Sequence, residues 1–316
     1  MSGFWSGRKV LVTGGTGFLG KHVAGKLQVR GVGSLATPSS SDYDLRVATD
    51  VERMFEELQP DLVIHLAARV GGIGANQLRP AALYLDNLLM GTYVIEQARL
   101  SGTPKAVVIG TICSYPKHTP VPFSEDSLWQ GYPEETNAPY GMAKLVQLVQ
   151  AQSNRAQYGQ NVVYLMPTNL YGPGDNFNLQ GSHVLPALIR KFHEAKVTGA
   201  GQVVVWGTGT PRREFLHVDD LADAALFLAR TYSDEAIINV GTGEDLSIAD
   251  LARLIAAIVG FKGDLVFDSS KPDGTPRKLL DVSRLDALGW HARIRLEAGI
   301  RQTHAWYCEQ GPVTDG

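Results

Sequence analysis

Arg8-Lys9-Val10-Leu11-Val12-Thr13-Gly14-Gly15-Thr16-Gly17-Phe18-Leu19-Gly20 decides the fold. Its first half is a short apolar run, the pattern of a strand buried on both faces of a parallel sheet. Glycines then recur at 14, 17 and 20. Gly14 permits a tight turn, Gly17 lets the backbone approach a pyrophosphate, and Gly20 lets a helix pack closely on the strand. The helical pattern Val23, Leu27 follows directly. A glycine-rich turn alone is weak; placed between a strand and a helix it predicts a dinucleotide site at the helix amino end.

The same rhythm continues outward. A second strand is expected around 32–37, followed by Pro38-Ser39-Ser40-Ser41 and Asp42-Tyr43-Asp44-Leu45. A site that prefers NAD usually carries a carboxylate at the end of this strand for the ribose 2′-hydroxyl. None precedes Asp42, so the sequence leans toward a 2′-phosphate and NADP(H), with NAD(H) the alternative. Arg30 and Arg46 are the cations near in sequence. Residues 51–58 read as helix and Asp61–Ala68 as a buried strand ending in small residues. A glycine-rich loop, Arg69–Asn76, a helix over Tyr84–Arg99 and a strand over Lys105–Gly110 come next. His65 reads as a packing or hydrogen-bonding residue of its strand. His118–Asn137 reads as a long ordered loop, and Asn161–Met166 as a further strand. The alternation argues for an α/β chain with a doubly wound parallel Rossmann sheet. Beyond residue 170 the rhythm loosens, so a smaller C-terminal α/β substrate domain is expected. Residues 1–170, with a return segment about 212–245, would form the dinucleotide-binding part; 171–211 and 246–316 would form the substrate part.

Composition narrows the class. The chain has 316 residues, 44% hydrophobic and 19% charged, with net charge −3, which gives no electrostatic case for nucleic acid or an acidic membrane. No apolar run approaches the length of a membrane span. Met1-Ser2-Gly3-Phe4-Trp5 leads into the first strand without a signal-peptide pattern, and a cytoplasmic enzyme is expected. Two cysteines, Cys113 and Cys308, make neither a disulfide framework nor a zinc spacing. No metal is expected, and Cys308 reads as structural or exposed.

Tyr140-Gly141-Met142-Ala143-Lys144 carries the chemistry. Tyr and Lys four residues apart share one face of a helix, which Pro139 opens. A phenol titrates near pH 10, about 3 units too high to protonate a carbonyl oxygen readily at neutral pH. An ammonium group one turn away would favour the phenolate and so improve the phenol as an acid.

Taken together these motifs resemble the extended short-chain dehydrogenase/reductases and, within them, the GDP-L-fucose synthase family of 3,5-epimerase/4-reductases. Val70-Gly71-Gly72-Ile73, Thr111-x-Cys113-x-Tyr115-Pro116, Pro167–Pro173 and Ser182-His183-Val184 carry the likeness, with Trp206–Gly209, Arg213-Glu214-Phe215 and Lys271–Lys278. The resemblance spans nearly the whole chain. It implies that Cys113 and His183 act as base and acid at C3 and C5 of a 4-keto sugar. Tyr140 and Thr111 would stabilise the enolate oxygen; Tyr140 would then protonate O4 and Lys144 would assist it. Cofactor contacts would come from Gly14, Gly15, Thr16, Gly17, Phe18, Leu19 and Gly20, with Asp44 and Leu45 flanking the adenine. Leu66, Ala67, Ala68, Ile109, Gly110, Thr111, Tyr140, Lys144, Pro167, Thr168, Asn169, Leu170 and His183 complete that set. Lys191, Trp206, Arg213, Asp273 and Lys278 would hold a nucleotide-diphosphate sugar, GDP-linked by the resemblance.

Two departures stand out. Thr111 replaces the usual Ser, and Pro38–Ser41 lacks the basic residue commonly used for a 2′-phosphate. An epimerase without net reduction and a non-catalytic dinucleotide sensor are the competing readings; retention of both Tyr140 and Lys144 counts against the sensor. A homodimer through the helices near Tyr84–Arg99 and Tyr140–Gln157 is expected, because both carry apolar residues on more than one face.

Overall fold

The computed structural model describes residues 3–271 and 273–311, so Met1, Ser2, Pro272 and residues 312–316, the end of the expected substrate part, lie outside the described residues. In chain order, β1 (Lys9–Thr13), α1 (Phe18–Val29), β2 (Ser34–Ala36), α2 (Ala48–Leu58) and β3 (Leu62–His65) open the fold. They are followed by α3 (Ile73–Leu78), α4 (Pro80–Leu100), β4 (Lys105–Ile109), α5 (Ala138–Tyr158), β5 (Val162–Pro167) and β6 (Asn169–Tyr171). Then come α6 (Val184–Thr198), β7 (Gln202–Trp206), β8 (Arg212–His217), α7 (Val218–Thr231), β9 (Ile238–Val240) and β10 (Asp245–Ser247). The last elements are α8 (Ile248–Val259), β11 (Asp264–Asp268), β12 (Arg277–Lys278), α9 (Ser283–Ala287) and α10 (Leu296–Gln310).

Six parallel strands form the main sheet in the order β2-β1-β3-β4-β5-β9. The β1 run is apolar on both faces because both faces are covered. Val10 and Val12 pack with Val23, Leu27 and the α7 residues, while Leu11 packs with Val51, Val94 and Leu145 across the sheet. Strand order reverses between β1 and β3. The crevice where ligands bind in such sheets therefore opens above the carboxyl ends of these two strands. Gly14 sits there at φ +71, and a Cβ on it would lie 2.7 Å from the Ala67 backbone nitrogen. Only glycine fits both the backbone geometry and the gap.

The expected strand at 61–68 is shorter than its apolar run: the ladder ends at His65, and Leu66-Ala67-Ala68 leave it to line the crevice. The loop expected at 69–76 contains the start of α3. Residues 118–137 are mostly loop, pinned by a buried network. Within it Tyr115 donates to Asn239 at 2.6 Å, and Asn239 donates its backbone N–H to Glu125 and its side-chain amide to the Phe123 carbonyl.

A smaller sheet gathers around β8, which pairs with β6, β10 and β12, and β7 pairs separately with β11. These pack with α6, α8 and α10 over their own apolar cluster, which includes Phe192, Phe215, Ile255 and Ile300. The return of the chain at 212 thus begins in the smaller sheet, and α7 and β9 then rejoin the larger one. No helix among the described residues is long and apolar enough to cross a membrane.

Candidate active site

A cavity of about 770 Å³ runs along the carboxyl edge of the main sheet. Its size suits a dinucleotide with room beside it. Its middle is lined by the turn after β1 and the first residues of α1. That helix has no side-chain cap at Gly17 and no acid in its first turn. Its first N–H groups are thus available to an anion, and the helix dipole favours one. A Cβ on Gly17 would meet only the Gly14 carbonyl, at 3.3 Å, whereas one on Gly20 would lie 2.0 Å from that oxygen. These features fit a pyrophosphate. All the residues expected to bind the cofactor line this cavity except Gly15, which is packed against Thr37.

At one end stand Ser39, Ser40, Tyr43, Asp44, Leu45 and Arg46. Asp44 accepts from the Arg46 guanidinium at 2.6 and 2.9 Å, and these bonds hold its pKa down at about 2. Asp42 is occupied by the Ser39 hydroxyl and N–H. Both acids near the strand end are therefore already satisfied, and Arg46 adds a cation to the wall. Arg30, the other nearby cation in sequence, points instead to Asp223.

The opposite end holds Thr111, Cys113, Tyr140, Lys144 and His183. Thr111 caps a single turn, Ile112–Ser114, by accepting from the Cys113 N–H at 3.2 Å. The turn abuts α5 at Gly141, where a Cβ would lie 2.6 Å from the Cys113 carbonyl oxygen. Ser114 donates to the Gly141 carbonyl at 3.0 Å. The glycine inside the Tyr-x-x-x-Lys motif thus lets the thiol and the phenol share one pocket.

Burial first, and then the Cys113 thiolate charge, push Tyr140 above its ordinary pKa, with Thr111 opposing through a hydrogen bond. Held protonated, it has the form that a proton donor requires. Lys144 is 2% exposed; its ammonium reaches Gln147 at 3.5 Å, and Gln147 is anchored on the Asn87 carbonyl at 2.7 Å. Burial pulls the Lys144 pKa down to about 8. The charge of Lys144 falls on His65, whose pKa burial and this cation lower to about 3. His65 shares a hydrogen bond with Thr13 at 2.7 Å, in keeping with a role inside the sheet.

A stability prediction follows from Lys144. The folded pKa of about 8 lies below the ordinary 10.5, so the unfolded chain binds more protons between those values and stability rises with pH across that window. Lys144→Met should remove up to about 3 kcal/mol of that rise. Urea unfolding of both proteins from neutral pH to beyond the window measures it. Parallel curves would mean the ammonium is not held out of water.

Lys278 and Arg213 reach this end from the smaller sheet, on adjoining strands β12 and β8. The Lys278 ammonium lies 3.7 Å from the Cys113 sulfur. Desolvation in the cleft and the Lys278 charge together lower the pKa of His183, which stands just before α6 without a side-chain bond to the helix end. Burial lowers that of Arg213, with the Cys113 thiolate opposing. The other expected sugar-nucleotide residues lie further out. Lys191 sits over the exposed Trp206 ring at 5.2 Å and donates to the Val204 carbonyl. Asp273 accepts from the Thr208 N–H and hydroxyl at 2.7 and 2.8 Å, which fixes the turn after β7.

Sequence reasoning missed several lining residues. Asn76 donates to Asn137 at 3.0 Å across the cavity. Asp175 and Ser182 also line it, and each has a buried oxygen without a hydrogen-bond partner among the described residues. Burial raises Asp175 to about 7. In the sequence these stand in Gly-Pro-Gly-Asp-Asn and Gly-Ser-His stretches that read as turns; unsatisfied oxygens appear only once the cavity is built.

Comparison with known proteins agrees with this geometry. The chain is 47% identical to GDP-L-fucose synthase 1 of Arabidopsis thaliana over 95% of this chain and 93% of that protein. It is 44% identical to GDP-L-fucose synthase of Escherichia coli (strain K12), over 96% and 98%. The crystal structure of a GDP-L-fucose synthetase from Naegleria fowleri bound to NADP superimposes with a TM-score of 0.90 at 30% identity, covering 98% of this chain and 97% of that one. The model of the NAD dependent epimerase/dehydratase family matches residues 10–241, and the chain belongs to that family.

Proposed function

We propose that this protein catalyses the NADP(H)-dependent 3,5-epimerisation and 4-keto reduction of GDP-4-keto-6-deoxy-D-mannose to GDP-L-fucose. The observation that carries the reading is the thiol of Cys113 in the pocket of Tyr140, with the Lys278 ammonium at 3.7 Å from its sulfur. Plain carbonyl reduction needs the phenol and the lysine; a thiol beside them adds a base for carbon acids. Near full-length similarity to proteins named GDP-L-fucose synthase supports the same conclusion.

In this mechanism the Cys113 thiolate removes a proton next to the 4-keto group, and His183 returns one on the opposite face. Thr111 and Tyr140 bond the enolate oxygen while charge builds on it. When bound, a nicotinamide cofactor would supply the hydride that C4 accepts. Tyr140 gives its proton to O4, and Lys144, steadied by Gln147, would hold the cofactor's ribose. Arg213, Lys191 and Lys278 offer cations for diphosphate oxygens, and Trp206 and Asp273 line the outer path. Residues 1–170 with α7 and β9 of the return segment serve the cofactor, and 171–211 with β8 and 246–311 serve the sugar nucleotide. Incubation with GDP-4-keto-6-deoxymannose and NADPH, followed by product analysis, tests the reading. NADPH consumption with inversion at C3 and C5 is expected; a 4-reduced sugar with neither centre inverted would overturn it.

Satisfied acids and the Arg46 guanidinium support a preference for the 2′-phosphate. Arg46→Ala should raise KM for NADPH roughly tenfold, the scale of one lost charge-assisted contact, and leave KM for NADH near its original value. Equal losses for both cofactors would rule out a phosphate contact.

We further read the protein as a cytoplasmic homodimer. Both cysteines are free thiols, in keeping with a reducing compartment. Leu85 of α4 and Val146 and Val149 of α5 are exposed apolar residues on two helices that pack together, which supports a shared interface there. Light scattering at micromolar concentration should give twice the chain mass, and a monomer mass would count against the dimer.

A further inference from the structure

Far from the cavity, α6 and α10 bring three potential metal ligands together. His304 and Cys308 are four residues apart and share one face of α10. His193 of α6 meets them from the facing helix. His193 Nδ1 lies 3.2 Å from His304 Nε2, and Cys308 Sγ lies 3.4 Å from His304 Nε2 and 3.6 Å from His193 Nδ1. Tetrahedral zinc, with bonds near 2.0 Å to nitrogen and 2.3 Å to sulfur, sets its ligands roughly 3.3 Å apart for two nitrogens and roughly 3.6 Å for nitrogen and sulfur. The three side chains therefore already stand at the spacing of three corners of such a site. The His193 ring is held edge-on to Tyr307 at 5.3 Å, and Tyr307 packs on Phe177 at 4.7 Å, so one ligand rests on a packed aromatic base.

We propose that His193, His304 and Cys308 form a Zn²⁺-binding site that clips α6 to α10, with its fourth position open to water. Two imidazoles and a thiolate suit a borderline-soft d¹⁰ cation, and the exposure of Cys308 leaves the remaining corner to solvent. The site is separate from Cys113 and serves the stability of the smaller part of the fold. It escaped the sequence because two of its ligands lie in the last helix and the third is more than a hundred residues earlier. The alternative for the same atoms is a hydrogen-bonded cluster that takes no ion.

The test uses the full chain, freed of any affinity tag and stripped with EDTA. Zn²⁺ is titrated against a chromophoric chelator. One submicromolar site per chain is expected, with the melting temperature rising by about 5 °C at saturating metal. Cys308→Ser and His304→Gln should each weaken binding by at least about tenfold. With Co²⁺, a thiolate-to-cobalt charge-transfer band should appear, vanish in Cys308→Ser and persist in Cys113→Ser. Because Cys308 is exposed, its substitution should fold normally and leave turnover unchanged. No tight zinc binding, binding indifferent to Cys308→Ser, or a band lost only in Cys113→Ser would each overturn the proposal.

Discussion

Tyr140→Phe is expected to lower the rate of 4-keto reduction by about 10²–10⁴-fold, the usual cost of removing a general acid. The phenol lines the cavity together with Thr111, Cys113 and Lys144. Its hydroxyl is hydrogen-bonded to Thr111, in the same pocket. Phenylalanine preserves the ring and its packing, so NADPH affinity should stay within a small factor, and fluorescence titration separates binding from turnover. The raised pKa sharpens the expectation. A phenol held above its ordinary value is fully protonated at neutral pH, so reduction should show no loss on the alkaline side from this group below about pH 10. Retention of more than about a tenth of wild-type kcat would remove Tyr140 from the donor role.

How much of this could be read from sequence depends on how local each feature is. The strand, turn and helix around Gly14 are contiguous, so period and glycine placement suffice. The end of β3 is less legible. Leu66-Ala67-Ala68 remain apolar after the ladder stops because they face a cavity, and burial in a cavity leaves the same composition as burial in a sheet. Arg30 and Arg46 are alike in the sequence, yet α1 directs Arg30 to Asp223 and the turn after β2 directs Arg46 to the pocket. The spacing of Tyr140 and Lys144 predicts a shared helix face, which is observed. It does not predict that the ammonium meets Gln147, which is held on Asn87 of α4. Lys278 at the thiol and the His193–His304–Cys308 cluster depend on pairings across the smaller fold, which no local pattern encodes.

Cys113→Ser separates the two halves of the proposed reaction. If the thiolate is the base, the variant should lose deuterium incorporation at C3 and C5, because a serine hydroxyl cannot supply an alkoxide at neutral pH. The substitution is conservative for structure. The Cys113 N–H bond to Thr111 and the backbone contact with Gly141 do not involve sulfur, so the turn should keep its shape. Tyr140 and Lys144 remain in place, and the variant should still reduce the 4-keto group, giving an unepimerised 6-deoxy sugar. His183→Gln should behave differently. The thiolate could still remove a proton, but return from the opposite face would fail, and exchange without inversion is the expected mark. Lys278 lies by both groups, at 3.7 Å from the sulfur and close enough to depress the His183 pKa, so its ammonium is placed to steady the thiolate that His183→Gln retains. Incubation in D₂O with analysis by mass and NMR distinguishes these outcomes. Deuterium entering at the wild-type rate in Cys113→Ser would make the thiol a packing residue, and the base would have to be sought among the remaining groups of the cavity.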